Sequence, residues 1–538
     1  MSQTVRDVIS VNSLFPEYID EIANSANEIY FELMNGYASK FSNYLSGRDC
    51  NLLFSQASTR TYDSFHKAFI LLGARNIGGF RSAKESSMDK GESIFHTIDT
   101  YIGQGASPRF IVMRDGSEGS AKWATICAFR SFAKKLREFA KMYRNFPQNL
   151  ILPIIFNGGD GKHSHPSQLL LDCATLKYQF GRISEFNFGE CNDIGGSRVV
   201  SSHIDASSML EWNMHLCFFL DAGLNQRQKY GLAKNRLRSF QYNNIANMLP
   251  NIDLIYVSRF QFNLRNQQTG DHAGSIFTND HPRISLNLIQ PYGIPVLHAR
   301  PIDKNAKEID PDLYDHPLDL SGVQSDFGAP ARMAMCIYAL NNRLFSLKGI
   351  IGSLKPEELG FYEKNLSDLA SNPHKMERYT ILKLNNSVVI DHIPLGCGGV
   401  ISNLISEMYP DIQIVLSMNV QGDSPESRPK DNIKLHVSPE FELTRELSNI
   451  VALFTDYTAK KSCRVSIFKD GKRVKKWCYR YILNNGDICE NDGCITNEKN
   501  KEGIHFFYKE ENIGDLKIKV CPFCEWPQSS AELTELIK

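Results

Sequence analysis

Apolar and polar positions fall into two regimes along the chain. In the first, short apolar runs alternate with stretches of helical spacing. Leu52-Leu53-Phe54 gives way to Ser58-Thr59-Arg60-Thr61, after which Phe65, Ala68, Phe69 and Leu72 recur at i, i+3, i+4 and i+7 before Gly73. That is strand, polar turn and amphipathic helix with a stop signal. Asn76 to Phe80 predicts a short strand, Arg81 to Gly91 a polar loop, and Ile94, Phe95, Ile98 and Ile102 a helix face. The strand Phe110 to Met113 delivers Arg114 at its carboxyl end, and a helix with a basic outer face follows from about Glu118 to Tyr143. Ile151 to Phe156 runs into Asn157-Gly158-Gly159-Asp160-Gly161, and His165-Pro166-Ser167-Gln168 opens a helix with Leu169, Leu170, Cys173 and Leu176. Upstream, Phe15 to Leu45 reads as one poorly periodic helix. From Ile183 a second alternating block begins: strand Phe186 to Phe188, the turn Gly195-Gly196-Ser197-Arg198 into a helix, strand Ile252 to Val257 ending in Ser258-Arg259-Phe260-Gln261, and a closing helix Ala329 to Leu344. Strand and helix in alternation predict two parallel sheets with right-handed crossovers, whose ligands gather outside the carboxyl ends of the strands.

The second regime follows a polar, partly helical linker between Gly349 and Lys375. Tyr379 to Asp391, Ile412 to Val420, Asn432 to Val437 and Arg464 to Phe468 read as strands, with helix faces at Val400, Ile401, Leu404, Ile405, Met408 and at Leu443, Leu447, Ile450, Val451, Phe454. This βαββαβ order predicts an α+β, ferredoxin-like domain, and Asp470-Gly471 a hairpin turn into Arg473 to Ile482. The five basic residues between Lys469 and Lys476 fit either a solvated face or a polyanion site.

Composition narrows the class. At 538 residues the chain exceeds one core. Lys plus Arg is 60 and Asp plus Glu is 60, so no global field draws it to nucleic acid or to an anionic membrane. The N-terminal residues lack a signal-like apolar core and no run of about 18 apolar residues occurs, which predicts a soluble, cytoplasmic protein. Of thirteen cysteines nine are scattered, which argues against a disulfide framework. The other four, Cys489, Cys494, Cys521 and Cys524, have spacings that tetrahedral zinc accepts, and an all-thiolate set predicts one structural Zn2+ per chain with no open position for chemistry.

The turn Ser58 to Thr61 offers backbone N–H groups, hydroxyls and a guanidinium at the positive end of a helix, which suits a phosphate dianion, although Ser and Thr also serve as plain N-caps. Its surroundings are more specific. Phe54, Ser58-Thr59-Arg60-Thr61 and Ser64-Phe65 together resemble the carbamoyl-phosphate signature of the aspartate and ornithine carbamoyltransferases. The resemblance implies that Ser58, Thr59, Arg60 and Thr61 hold phosphate, that Arg114 bridges phosphate and carbonyl oxygens, and that His165 and Gln168 hold the carbamoyl group. It also implies that Ser86 and Lys90, ahead of Gly91-Glu92, enter the site of a neighbouring subunit in a homotrimer; Ser87 is the alternative serine. Arg198, Arg259 and Gln261 would bind the amino-acid substrate. Arg-x-Gln at the strand end resembles the aspartate branch, and Leu297-His298-Ala299-Arg300-Pro301 lacks the cysteine of the ornithine branch. That turn also departs from the usual aspartate form, which has proline and leucine where Ala299 and Arg300 stand. Arg300 and Pro301 are the candidate substrate contacts there.

Val389-Ile390-Asp391-His392-Ile393-Pro394 resembles the opening of the regulatory chain of bacterial aspartate carbamoyltransferase, which binds cytidine and adenosine nucleotides and carries a four-cysteine zinc domain that docks on the catalytic subunit. Asp391, Lys434 and Lys472 match nucleotide-contacting positions. The resemblance therefore implies residues 1–181 as a carbamoyl-phosphate domain, 182–348 as an aspartate domain whose last helix packs back on the first, 349–375 as linker, 376–482 as a nucleotide-binding-like domain and 483–538 as a zinc domain. Carbamoyl phosphate and L-aspartate are the implied substrates, with CTP and ATP as candidate effectors. The competing readings are a carbamoyltransferase of other amino-acid specificity, a nucleotide-sensing scaffold without catalysis, and a nucleic-acid-binding zinc module.

Overall fold

Four apolar runs of the first block pair as one parallel sheet. They are β1 (Asp49–Phe54), β2 (Asn76–Phe80), β3 (Phe110–Asp115) and β4 (Ile154–Asp160), in the order β2-β1-β3-β4, and Cys50 lies level with Ile77 on one side and Phe110 on the other. The computed structural model describes residues 4–103, 107–143, 150–218, 223–234, 239–259, 283–302, 308–355, 361–364, 386–421, 429–455, 463–479, 487–500, 502–504, 506–514 and 516–528. Successive side chains of a strand face opposite ways, and the core divides accordingly. Leu52 and Phe54 join Phe65, Phe69, Phe110 and Phe156 on one face, while Leu53, Ile111 and Met113 pack on the other against Ile98, Phe132 and Leu136.

The helices are α1 (Pro16–Met34), α2 (Thr59–Leu71), α3 (Ile94–Gly103), α4 (Ser120–Tyr143) and α5 (Pro166–Phe180). Proline at the first position of α1 and α5 costs no hydrogen bond and presets the backbone for a helix. One expectation is corrected. The segment Phe15 to Leu45 is not a single helix: α1 stops at Met34, Asn35-Gly36 breaks it, and a short 3-10 turn (Ala38–Phe41) follows.

The second block forms a five-stranded parallel sheet in the order β7-β6-β5-β8-β9, from β5 (Asn187–Asn192), β6 (Asn213–Cys217), β7 (Ser239–Tyr242), β8 (Leu254–Ser258) and β9 (Val296–Leu297). Helices α6 (Arg198–Ser207) and α7 (Gln226–Lys234) follow β5 and β6, and α8 (Ser321–Asp326) leads into α9 (Gly328–Asn341). The buried face of α9 meets the first block, where Tyr338 lies edge-on to Tyr18 of α1 with ring centroids 4.8 Å apart.

The remaining strands build an antiparallel sheet in the order β10-β15-β14-β11-β13-β12 and a two-stranded hairpin. They are β10 (Phe361–Glu363), β11 (Ser387–Pro394), β12 (Gln413–Val420), β13 (Lys430–His436), β14 (Arg464–Lys469) and β15 (Lys472–Tyr479), with the hairpin β16 (Lys509–Ile513) and β17 (Leu516–Val520). Helix α10 (Leu347–Ser353) precedes this sheet, and α11 (Gly398–Met408) and α12 (Arg445–Phe454) are interleaved with its strands. The stretch read as a linker is docked over its described part. Ile350 and Ile351 of α10 are buried, and Asn449 of α12 donates to the carbonyls of Ile351 at 2.6 Å and Leu354 at 2.9 Å. Arg137 of α4 likewise donates to the Thr455 carbonyl at 2.6 Å. One apolar cluster therefore runs from the first sheet through α4 into the antiparallel sheet and the four cysteines. Among the described residues no helix is long and apolar enough to cross a membrane.

Candidate active site and metal site

The sheet topology brings Ser58, Thr61, Arg114, His165 and Arg198 together. Ser58 caps α2 with an extended backbone, and its Oγ lies 3.2 Å from Thr61 Oγ1. Thr61 Oγ1 lies 3.5 Å from His165 Nε2, and Arg114 Nη1 lies 3.4 Å from that same nitrogen. Arg114 sits near the end of β3 and also donates to the Gly158 carbonyl at 2.6 Å. His165 is the residue just before α5, and its backbone N–H donates to Ser202 Oγ at 2.9 Å. Arg198 opens α6 and donates to Gln56 Oε1 at 2.8 Å. Gly159 lets the two guanidiniums converge: with φ +108°, a Cβ there would lie 2.8 Å from Arg114 Nη1 and 2.9 Å from Arg198 Nη1, so no side chain fits.

This pocket wall is buried and positive. Burial, with Arg198 and Arg332 nearby, pushes the Arg114 guanidinium well below its usual range, and burial lowers Arg198 to about 10. Burial and the same arginines hold the His165 imidazole well below its usual value, so the ring is neutral at pH 7. Arg114 Nε and Arg198 Nη1 are buried with no hydrogen-bond partner. Leaving such donors unsatisfied is costly, which marks the place as one built for an anion.

Other expected residues fall nearby or apart. Arg60 donates to the Ala299 carbonyl at 3.2 Å, and burial, with Arg259 and Arg300, lowers it to about 10. Thr59, the first residue of α2, is exposed. Gln168 donates to Asp172 Oδ1 at 3.0 Å. Arg300 is held by Ser321 Oγ at 2.9 Å and Asp319 Oδ2 at 3.3 Å, with Pro301 exposed beyond it. Arg259 is exposed at the end of β8, and Gln261 lies outside the described residues. Ser86 caps a 3-10 turn (Ser87–Lys90) by accepting from the Met88 N–H at 3.2 Å, and Lys90 is exposed at its end. Among the described residues no hydrogen bond joins Ser86 or Lys90 to the cluster around His165.

Several participants escaped the sequence reading. Arg332 of α9 lies fully buried with its guanidinium 4.8 Å from the Phe65 ring, donating to the Gly328 carbonyl at 2.7 Å. Gln56, Asp172 and Ser202 also belong to the site or its support. A charged residue inside an apolar helical run, such as Asp172 after Leu169-Leu170-Leu171 or Arg332 among Ala331, Met333 and Ala334, was the available signal.

Residues 6–178 match the family model described as the aspartate/ornithine carbamoyltransferase carbamoyl-P binding domain. The chain carries a carbamoyltransferase. The aspartate carbamoyltransferase catalytic subunit of Pyrobaculum calidifontis is 28% identical over 344 residues, covering 62% of this chain and 98% of that protein. That of Thermococcus kodakarensis is 29% identical over 336 residues, covering 61% and 95%. Among solved structures, the catalytic subunit of M. Jannaschii aspartate transcarbamoylase is 26% identical, with a TM-score of 0.51, over 64% of this chain and all of that one. Aspartate transcarbamoylase from Trypanosoma cruzi, in complex with aspartate and phosphate, is 20% identical with a TM-score of 0.50 over 62% and 96%, a likeness of fold. These matches cover 61–64% of this chain, which continues beyond them.

In that continuation Cys489, Cys494, Cys521 and Cys524 are buried with their sulfurs all within 4.8 Å of one another. The Cys489–Cys524 and Cys494–Cys521 pairs are 3.7 and 3.8 Å apart. Tetrahedral coordination at a metal–sulfur distance of about 2.3 Å spaces sulfurs about 3.8 Å apart, so the four thiols fit a metal ion. All thirteen cysteines are buried and unbridged.

This cysteine knot is pinned to the carbamoyltransferase region. The Glu118 N–H donates to the Gly493 carbonyl at 2.7 Å, Ile495 returns a bond to the Glu118 carbonyl at 2.8 Å, and Asn491 donates to the Glu118 carboxylate at 2.8 Å. Gly119, at φ +84°, lies so close to Phe523 that a Cβ would come within 2.7 Å of its backbone. Glu525 accepts from Ser10 at 2.9 Å and Asn12 at 2.8 Å, and pairs with Arg227 at 2.6 Å and His163 at 3.4 Å. The β16–β17 hairpin reaches α7, where Tyr230 donates to Glu511 at 2.6 Å. On the antiparallel sheet, Asp391 pairs with Lys430 at 2.6 Å and with His392 at 2.8 Å. Lys434 stands level with Val389, on the adjoining strand. Lys472 sits at the β14–β15 hairpin, beyond the Ser387 end of β11 and away from Asp391.

Proposed function

We propose that the chain transfers the carbamoyl group of carbamoyl phosphate to L-aspartate, giving N-carbamoyl-L-aspartate and phosphate, a step of pyrimidine biosynthesis, and that its C-terminal half is a fused regulatory module. The observation that carries the reading is the convergence of Thr61 and Arg114 on the neutral His165 within 3.5 Å, beside the α2 turn. Ser58, Thr59, Arg60 and Thr61 hold the phosphate at the positive end of α2. Arg114 spans phosphate and carbonyl oxygens, and Gln168 holds the carbamoyl amino group. Attack by the amine builds negative charge on the carbonyl oxygen. Arg114, Thr61 and an N–H of neutral His165 stabilise it there, and such preorganised donors are worth roughly 10²–10³ each in rate. Arg198, Arg259 and Gln261 align aspartate, and Arg300 and Pro301 border it. No covalent nucleophile is required.

Ser86 and Lys90 complete the site of an adjacent protomer in a homotrimer, a reading supported by the exposure of Lys90 away from the His165 cluster of its own chain. Mixing Lys90→Ala and His165→Ala chains, each inactive alone, then restores activity; no recovery on mixing refutes sharing. The four thiolates hold one Zn2+ in a closed, structural site. The antiparallel sheet supports a ferredoxin-like regulatory domain, because its central strands follow the β14-β11-β13-β12 order that βαββαβ connectivity gives. CTP and ATP bind there through Asp391, Lys434 and Lys472. The protein works in the cytoplasm, where buried free thiols stay reduced.

The departure at Ala299-Arg300 favours one further reading, an altered amino-acid specificity. A steady-state assay with carbamoyl phosphate and either aspartate or ornithine, titrated with CTP and ATP, decides. Turnover with aspartate is expected; turnover with ornithine alone overturns the assignment, and indifference to both nucleotides overturns the regulatory part.

A further inference from the structure

A line of buried charge lies behind the carbamoyl-binding side chains, and the proposed chemistry leaves it unused. His203 of α6 has no exposed surface, nor do Glu190 of β5 and Asp172 of α5. Its Nδ1 lies 2.5 Å from Glu190 Oε1 and its Nε2 lies 3.1 Å from Asp172 Oδ2. Carboxylates on both ring nitrogens require both to donate, the imidazolium form. Burial alone would push that charge down, but Glu190 and Asp172 hold the ring up at about 9. The other oxygen of Asp172 takes two amide donors: Gln168 Nε2 at 3.0 Å and Gln324 Nε2 at 2.6 Å.

These bonds fix the sense of two amides. A carboxylate that already accepts on both oxygens offers only acceptors to its neighbours, so Gln168 must turn its NH2 towards Asp172 and its carbonyl oxygen away. Gln324 is oriented in the same way, and its Oε1 accepts the His298 N–H at 2.9 Å, at the head of the turn His298 to Pro301 on which Arg60 rests through Ala299. We infer that Asp172, pinned by His203 and Glu190, is a positioning residue that makes Gln168 present an acceptor to the donor substrate, and so selects an amino group over a methyl group at the acyl carbon. The inference rests on the reading of Gln168 given above. It predicts that carbamoyl phosphate is preferred over acetyl phosphate, which differs by having methyl in place of NH2, because only the former satisfies the acceptor.

The test measures dissociation constants of carbamoyl phosphate and acetyl phosphate by calorimetry on the full chain. Asp172→Asn can donate to Gln168, letting that amide flip and face the substrate with its own NH2. Carbamoyl phosphate binding should then weaken by roughly tenfold or more, acetyl phosphate should change less than about threefold, and the preference should fall to that of Gln168→Ala. In a Gln168→Ala background Asp172→Asn should have no further effect on the preference. Asp172→Ser also replaces the obligate acceptor by a group that can donate. It should lower the preference in the same direction, which keeps the test available if Asp172→Asn does not fold. Glu190→Gln, which leaves the Asp172 carboxylate and hence the sense of Gln168 intact, should leave the preference unchanged. Equal weakening of both ligands by Asp172→Asn, or an unchanged preference in that variant, overturns the inference. If Gln168→Ala itself leaves the preference intact, the role of Gln168 falls instead.

Discussion

The pocket around His165 and the knot of four cysteines are both assembled from distant segments, yet they are opposite in kind. The knot is saturated. Its four sulfurs face one another, and the flanking Asn491, Ile495 and Glu525 bond outward to Glu118, Ser10 and Arg227. The pocket is left wanting: Arg114 and Arg198 keep buried donors without partners, and His165 is stripped of charge by its burial and by the arginines around it. A site meant to stay closed spends its hydrogen-bonding capacity on itself, whereas one meant to take an anion holds donors in reserve. The two meet through His163, which lies two residues before His165 and touches Glu525, one residue past Cys524.

Four perturbations sharpen this contrast. The largest effect belongs to the knot. Stripping the metal with a thiol-directed mercurial and a chelator, or Cys521→Ser, should unfold the segment 487–528, since structural metal–thiolate sites carry on the order of 10 kcal/mol of folding free energy. Limited proteolysis with and without metal checks it; resistance unchanged after stripping would mean the knot stands without metal. Next, His165→Ala should cut kcat by roughly 10²–10³ while KM for carbamoyl phosphate changes little, and equal losses in both would contradict a role confined to the transition state. Third, the imidazolium of His203, raised to about 9 from an unfolded value near 6.5, contributes stability that is complete below about pH 6.5 and lost as pH rises through about 9, on the order of 3 kcal/mol in all. His163, held at about 10 chiefly by Asp160 against its burial, carries the same sign at higher pH. Thermal unfolding from pH 6 to 9.5 should show a shallower decline in His203→Gln than in the parent. The smallest effect is expected from Tyr230→Phe, which removes the bond to Glu511. Half-buried and charge-assisted, it should cost about 1–2 kcal/mol, seen as earlier hydrogen exchange in β16 and β17 with catalysis preserved.

Much of this arrangement was legible in residue order, for identifiable reasons. The turn Ser58 to Thr61, Arg114 and His165 follow apolar runs of strand length, and the alternation of strand and helix forces such residues to the same edge of a sheet. The cysteine spacing likewise marks out a group able to hold a metal ion without any fold. What misled was local: Asn35-Gly36 ends α1 eleven residues early, and the polar residues after Gly349 hid the buried pair Ile350 and Ile351. Asp172, His203 and Glu190 were invisible as a group because they come from α5, α6 and β5, and periodicity within one element says nothing about which charge faces which across a core.

The sequence by itself determined the alternating elements of the first sheet, the edge on which the turn Ser58 to Thr61 and His165 would meet, and the grouping of the four cysteines, because each depends on spacing within a short stretch of chain. Only the tertiary structure decided how those parts are tuned: His165 kept neutral by burial beside Arg114, Arg198 and Arg332, Asp172 held between His203 and Gln168, and Glu525 lodged between His163 and Arg227. Those are through-space electrostatic and hydrogen-bond relations among residues up to several hundred positions apart, and packing alone sets the distances on which they depend.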